Sequence, residues 1–385
     1  MRAFQSLRSG LAVALLAALP ISCVPAGDAG EPADGASSMV PIRSTGDPLF
    51  AVDPNWPMDL PEDMILGPVT GVFVDSRDHV WVSHLPDLLS PEEVSAVQEP
   101  PLGTCCAPAP TVLEFDPDGS LVQAWGVPSQ DVAEYPWNPH GIFVDHNDHV
   151  WVGSHVTHRV MKFTRDGEHL MTLGRFEENG GSNDPVLLGG TAGIHVDPTT
   201  NEVFLADGYR NRRVIVFNGD TGEYIRHWGA YGETPDDAYT YDFSNLDPGA
   251  PPRQFSNVHG LIGSRDGLLY IADRRGNRIQ VFQHDGTFVM EKIIAPSTLA
   301  SGSAFDFAFS PDTEQSLIFM ADGTNHKVWI LRRSDMEIVG EFGRGGRQVG
   351  QFLRPHGISS DSRGNIYVGE ASTGRRVQKF SPLNP

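Results

Sequence analysis

Gly141-Ile142-Phe143-Val144-Asp145, a short turn, and then Val150-Trp151-Val152 read as one strand running into a second. The first strand returns at Gly71-Val72-Phe73-Val74-Asp75, Gly193-Ile194-His195-Val196-Asp197 and Gly357-Ile358-Ser359-Ser360-Asp361. The second recurs at Val80-Trp81-Val82, Val203-Phe204-Leu205, Leu269-Tyr270-Ile271, Ile318-Phe319-Met320 and Ile366-Tyr367-Val368, making six units in all. A third strand follows in each, as in Val160-Met161-Lys162-Phe163 and Val214-Ile215-Val216-Phe217, and a fourth is visible near Trp125-Gly126, Leu173-Gly174, Trp228-Gly229 and Phe342-Gly343. Short β-branched and aromatic runs bounded by Gly, Pro and Asp are the chemistry of strands and turns. Six such units in tandem predict an all-β fold, a six-bladed β-propeller, which shields its strand edges by radial repetition. The sixth unit shows only three strands before Pro385, so residues 48–55, unassigned ahead of the first unit, are expected to supply its fourth and close the ring.

The flanking sequence has a different character. Arg2 and Arg8 precede an apolar run from Leu11 to Ile21, too short to span a bilayer and laid out as a secretory signal. Leu19-Pro20-Ile21-Ser22-Cys23 resembles a bacterial lipobox, so residues 1–22 are read as a lipoprotein-type signal peptide with Cys23 as the lipidated mature N-terminus. Plain signal-peptidase cleavage is the alternative. Either way the chain is expected to be exported, as a periplasmic or outer-membrane lipoprotein or as a secreted protein, touching membrane only through a lipid anchor. Residues 23–47, rich in Ala, Gly, Pro, Ser and Asp, read as a flexible linker, leaving 48–385 for the propeller. A formal charge of −21, from 49 acidic and 28 basic side chains, repels polyanions and sets nucleic acid aside as a partner.

One column of the repeat carries histidine. Five residues before the turn position of each first strand stand Thr70, His140, Ala192, His259, Phe307 and His356. Histidine therefore occupies units two, four and six, and alternate blades are related by about a third of a turn around the axis that first strands line. Three imidazoles converging on one spot with a fourth position open is the layout of a catalytic zinc, although iron, copper or cobalt would accept the same ligands. Because first and second strands form a hairpin, the residues just after each second strand should ring the same mouth, among them His84, His155, Tyr209 and Arg274.

The repeat as a whole resembles the NHL family over roughly residues 65 to 380. Asp207-Gly208-Tyr209 and Ala272-Asp273-Arg274, taken with Pro139-His140-Gly141, Val258-His259-Gly260 and Pro355-His356-Gly357, look like the lyase domain of peptidylglycine α-amidating enzymes. The resemblance implies Zn2+ on the three histidines, Tyr209 as base, Arg274 beside it, and cleavage of a peptidyl or N-acyl α-hydroxyglycine to an amide and glyoxylate. Those residue types suit the reaction, since collapse of a carbinolamide needs its hydroxyl polarised by a Lewis acid and deprotonated. A free tyrosine titrates near 10, and a neighbouring Arg⁺ and metal ion favour its phenolate.

Three positions depart from the family pattern. An arginine that engages the substrate carboxylate is Leu85 here, and a methionine two residues before the third histidine is Arg354, which is thereby the candidate substrate-binding residue. The family's Ca2+ uses main-chain carbonyls at positions matching Val72 and Ile142 and an aspartate that is Gly357 here. Residues 83–110 lengthen the first repeat and are expected to fold over one mouth of the channel, and their Cys105 and Cys106 either close a vicinal disulfide or stay free. Two other functions fit the same pattern: a non-catalytic propeller that binds a ligand or protein, with a structural ion, and a metal-dependent hydrolase or lactonase whose ion activates water.

Overall fold

The computed structural model describes residues 39–42, 44–45, 50–127, 135–242 and 251–383; residues 1–22, read above as a signal peptide, and Cys23 lie outside them. Six antiparallel sheets follow one another around an axis. Their inner strands are Val69–Val74, Ile142–Val144, Thr191–Val196, Val258–Gly263, Asp306–Phe309 and Pro355–Ser360. Each inner strand adjoins the next, and that of blade six adjoins that of blade one, so the ring is closed.

Phe50–Asp53 pairs with Arg376–Pro382 in the register Lys379↔Asp53 to Pro382↔Phe50, supplying the outer strand of blade six as expected. The linker reading ran too far toward the propeller. Val40–Pro41 pairs with Phe50–Asp53, and Ser44–Thr45 pairs with the outer strand Glu337–Phe342 of blade five, so residues within 23–47 add edge strands to two blades. Backbone pairing selects these residues despite a composition that buries little.

The apolar core is divided into six wedges, one between each pair of neighbouring blades. Trp81 and Val112 of blade one pack with Val150 and Phe163 of blade two. Phe50 and Phe380 of blade six pack with Phe319 and Phe342 of blade five. Each blade therefore buries both faces, which is why second and third strands run apolar almost without interruption. The repeated turn aspartate holds the hairpin: Asp145 Oδ1 accepts the amides of Asn147 and His149, and its Oδ2 accepts Trp151 Nε1–H at 2.9 Å. Asp75 does the same for Arg77, His79 and Trp81.

The glycines that recur in first strands have a packing reason. A Cβ on Gly141 would lie 1.8 Å from the carbonyl oxygen of Ala192, and one on Gly193 would lie 2.7 Å from that of His259. Inner strands of successive blades crowd together at the axis, and only glycine lets their backbones approach this closely.

The insertion after His84 is anchored at both ends. Ala107–Pro108 pairs in parallel with Met64–Ile65. Trp137 Nε1–H donates to Asp87 at 2.8 Å, Arg375 pairs with Glu93, and Cys105 and Cys106 are joined as a disulfide.

Candidate metal centre and active site

Two of the column histidines, His259 and His356, sit at a bulge that decides where they point, whereas His140 lies just ahead of the regular strand Ile142–Val144. In blades four and six the pairing register shifts between Val258 and Leu261 and between Pro355 and Ile358. Two residues on the inner strand, His259-Gly260 and His356-Gly357, thus answer one on its partner, which re-aims the side chain toward the axis. Blades one and three carry the same shift at Thr70 and at Ala192-Gly193.

Blade five does not. Its ladder runs without a break from Asp306↔Ala321 to Phe309↔Ile318, so a single residue replaces the bulged pair. Counting five back from Asp312 lands on Phe307, in a regular ladder position opposite Met320, because the turn position of this ladder is Ser310, whose amide donates to the Leu317 carbonyl, and not Asp312. Asp306 stands where the bulged pair would be and lines the channel beside Phe307.

His140, His259 and His356 are buried, and their candidate ligand nitrogens all lie within 4.8 Å of one another. Their ring centroids form a near-equilateral triangle of 4.8, 4.7 and 4.8 Å. His259 Nδ1–H donates to the carbonyl oxygen of Phe305 at 2.7 Å, and His356 Nδ1–H donates to that of Thr70 at 2.8 Å. A carbonyl only accepts, so these bonds fix the proton on Nδ1 and leave the Nε2 lone pair free to ligate. Burial holds His140 and His259 well below the ordinary imidazole range, and it brings His356 down to about 3, with Arg274 acting in the same direction. Three neutral imidazoles result, as a metal requires. Zn–N bonds of about 2.0–2.1 Å place ligand nitrogens about 3.3 Å apart, so modest side-chain closure would bring all three onto one ion.

Tyr209 reaches this trio from the loop after Glu202–Asp207. Its hydroxyl is 2.7 Å from His140 Nε2 and 3.5 Å from His259 Nε2. The loop is set by Gly208, where a Cβ would meet the backbone of Val258 at 2.2 Å, and by Asn257, whose Nδ2 donates to the Gly208 carbonyl. Arg274 Nη1 lies 3.4 Å from the Tyr209 hydroxyl, and its guanidinium carbon is 5.5 Å from the phenol ring centroid.

Arg274 is distinct from the structural arginines of the repeat. Those are Arg213 and Arg278, whose Nε atoms each donate at 2.9 Å to Asp207 and Asp273 with both partners fully buried. Arg354 approaches the same mouth from blade six in the left-handed region (φ 61°), its amide donating to His326 Nδ1. Leu85, at the position of the family's carboxylate-binding arginine, lines this mouth together with Leu88 of the insertion, around a cavity of about 260 Å³. The loop after the outer strand of blade three lies elsewhere: its residues 236–242 pack against Ser182 and Arg212.

Two residues at the axis were given no role from sequence, although His155 was placed at the mouth. His155 stacks on Tyr209 with ring centroids 4.4 Å apart and meets His140 edge-on at 5.1 Å. Its place after the second strand of blade two was the signal that pointed to the mouth. Asp306, on the opposite side of the histidines, lines a separate cavity of about 70 Å³ with Val72 and Ile142. It accepts the Ile358 amide, and burial raises it to about 7.

No family model matches the chain. It is 28% identical over 353 residues to peptidyl-glycine alpha-amidating monooxygenase B of Xenopus laevis, an overlap that covers 86% of this chain and 35% of that protein. It is 28% identical over 288 residues to peptidyl-alpha-hydroxyglycine alpha-amidating lyase 1 of Drosophila melanogaster, covering 70% and 48% of the two chains. To NHL repeat-containing protein 3 of Homo sapiens it is 27% identical over 295 residues, covering 71% and 74%. This chain is a six-bladed propeller that resembles NHL repeat-containing proteins and the amidating lyases. The chain spans 35% or less of the first two curated relatives it matches. A gluconolactonase from Xanthomonas campestris superposes with a TM-score of 0.53 at 12% identity over 91% of this chain and 99% of that one. A streptogramin B lyase does so with a TM-score of 0.50 at 13% identity, over 91% and 100%. At such identities these structures share the fold alone.

Within this propeller the donor set implied for calcium does not fit. A Cβ at Gly357 would lie 2.9 Å from the Val72 amide nitrogen, so the backbone leaves no room for the family's aspartate. Asp306 is the carboxylate that lines the channel instead.

Proposed function

We propose that this chain is an exported zinc lyase that cleaves a peptidyl or N-acyl α-hydroxyglycine to the corresponding amide and glyoxylate. The observation that carries the reading is the Tyr209 hydroxyl, set 2.7 Å from His140 Nε2 on the open side of three buried, neutral histidines. His140, His259 and His356 would hold a zinc ion, which when bound would supply the Lewis acidity that polarises the substrate hydroxyl. Tyr209 takes the proton of that hydroxyl. As the oxygen's electron pair forms the aldehyde C=O of glyoxylate, the C–N bond breaks with its pair moving to the amide nitrogen, which receives a proton from Tyr209. Arg274 places a positive charge beside the phenol oxygen throughout. Arg354 meets the substrate at the mouth.

The test is metal analysis of the purified protein followed by assay of glyoxylate release from α-hydroxyhippurate. The expected results are one equivalent of zinc, release by wild type, and loss of release in Tyr209→Phe with metal retained. His259→Ala should lose the metal while keeping the fold. Bound metal without glyoxylate would favour a water-activating hydrolase, and absence of any transition metal would leave a binding scaffold. Lipidation at Cys23 is part of the same proposal, and palmitate labelling that survives Cys23→Ser would rule it out.

A further inference from the structure

Arg274 and Arg354 share an aromatic platform and, among the described residues, have no counter-charge. Their guanidinium carbons lie 4.9 and 5.4 Å from the centroid of the one Phe305 ring, and both side chains line the cavity over the histidines. Phe305 is fully buried, and its carbonyl oxygen also orients His259, so one residue links the metal site to both cations. Among the described residues neither arginine pairs with a carboxylate, in a chain with 49 acidic side chains. Arg274 is buried with its Nε unpartnered, and Arg354 donates only to Ser301 Oγ at 3.1 Å. His155 completes the set, its Nδ1 buried without a partner at the same mouth.

Two neighbouring guanidinium groups withdrawn from water repel one another unless an anion joins them. The strained backbone of Arg354, at φ 61°, is held in place by bonds from its amide to His326 and from the Ala371 amide to its carbonyl. Nothing about the blade itself requires this conformation of an arginine, whereas delivery of its side chain to the mouth does.

We propose that Arg274 and Arg354, braced on Phe305, form a carboxylate cradle that selects substrates with a free α-carboxylate. Recognition has thereby moved from the blade-one side of the mouth, where Leu85 and Leu88 now present an apolar wall, to the sides of blades four and six. Guanidinium groups bind carboxylates through charge-assisted, often bidentate hydrogen bonds, which fits a single small anion between two cations. The apolar wall opposite suits an aliphatic or aromatic acyl group on the other end of the same molecule. The assignment of that carboxylate to an α-hydroxyglycine rests on the lyase reading; the cradle itself does not.

Calorimetric binding of hippurate and of its uncharged amide, hippuramide, to the purified protein tests the cradle without any turnover. Wild type should bind hippurate at least tenfold more tightly than hippuramide. Arg354→Gln and Arg274→Gln should each lower hippurate affinity about tenfold or more, toward that of the amide, with thermal midpoints unchanged. Arg354→Lys should restore part of the difference. Equal binding of the two ligands would overturn the proposal. So would hippurate binding that survives Arg354→Gln but disappears on chelation, since the carboxylate would then be going to the metal. A protein that binds hippurate through both arginines yet releases no glyoxylate keeps the cradle and loses the lyase.

Discussion

Asp273 and Arg278 bury a salt bridge completely, while Arg274, one residue from Asp273, has no carboxylate partner. Breaking the ion pair and removing the lone arginine should therefore have different consequences. Asp273→Ala strands a buried cation and should cost about 3–5 kcal/mol in urea unfolding. Arg274→Ala should leave the unfolding midpoint nearly unchanged and lower glyoxylate release about a hundredfold, the scale of a lost electrostatic group at a reacting centre. The glycine after His140 belongs to the same scale. Gly141→Ala forces a methyl against the Ala192 carbonyl, contact that overpacking measurements place at about 1–3 kcal/mol or more, and it should weaken metal retention by pushing His140 out of line. The histidine column, Tyr209 and Arg274 were all legible as residue types at repeat-equivalent positions. Phe307 was misplaced because the turn aspartate of blade five, Asp312, lies two residues beyond Ser310, the position that closes its ladder, so a repeat count that assumes equal spacing falls out of step.

At the scale of the element, the insertion of residues 83–110 hangs on His84. Its Nδ1 accepts the Gly67 amide at 3.0 Å and its Nε2–H donates to the Pro110 carbonyl at 2.9 Å, an arrangement that only the neutral ring can make. Burial lowers its pKa from 6.5 to about 4. Below 6.5 the unfolded segment takes up a proton and the folded one does not, so the local stability is complete above 6.5 and is lost progressively as pH falls toward 4. The loss amounts to about 3 kcal/mol by linkage. Amide exchange at Gly67, corrected for intrinsic rate, should show protection falling across that window. A protection factor flat from pH 7 to 4 would contradict the assignment. The sequence marked His84 as a rim residue and left the two cysteines open; its buried hydrogen bonds depend on Gly67 and Pro110, neither of which carries a recognisable signal.

The whole molecule is closed by hydrogen bonds between segments more than three hundred residues apart, Phe50–Asp53 on Arg376–Pro382. Phe50 and Val52 also fill the wedge between blades five and six. A chain beginning at Met39 should melt as the full chain does, whereas one beginning at Asn55 should lose the blade-six outer strand and unfold at a temperature lower by ten degrees or more, at about 2–4 °C per kcal/mol for a domain of this class. Calorimetry of the two truncations distinguishes a closed ring from six independent blades. If both melted alike, closure would contribute nothing to stability.

Repetition made the architecture readable from the chain alone. Strand chemistry repeats with the blade, and symmetry turned alternate histidines into one point on an axis before any contact was known. The tertiary structure decided what repetition cannot encode, namely where neighbouring blades meet. The Phe305 carbonyl orients His259 across a blade boundary, the Phe305 ring gathers Arg274 and Arg354 from two different blades, and Asp306 enters the channel where a bulge is missing. Periodicity along a chain reports which face a residue occupies within its own sheet. Convergence between sheets depends on bulges, glycine approaches and loop exits that shift side chains by a few ångströms, and that distance separates a ring of polar residues from an active site.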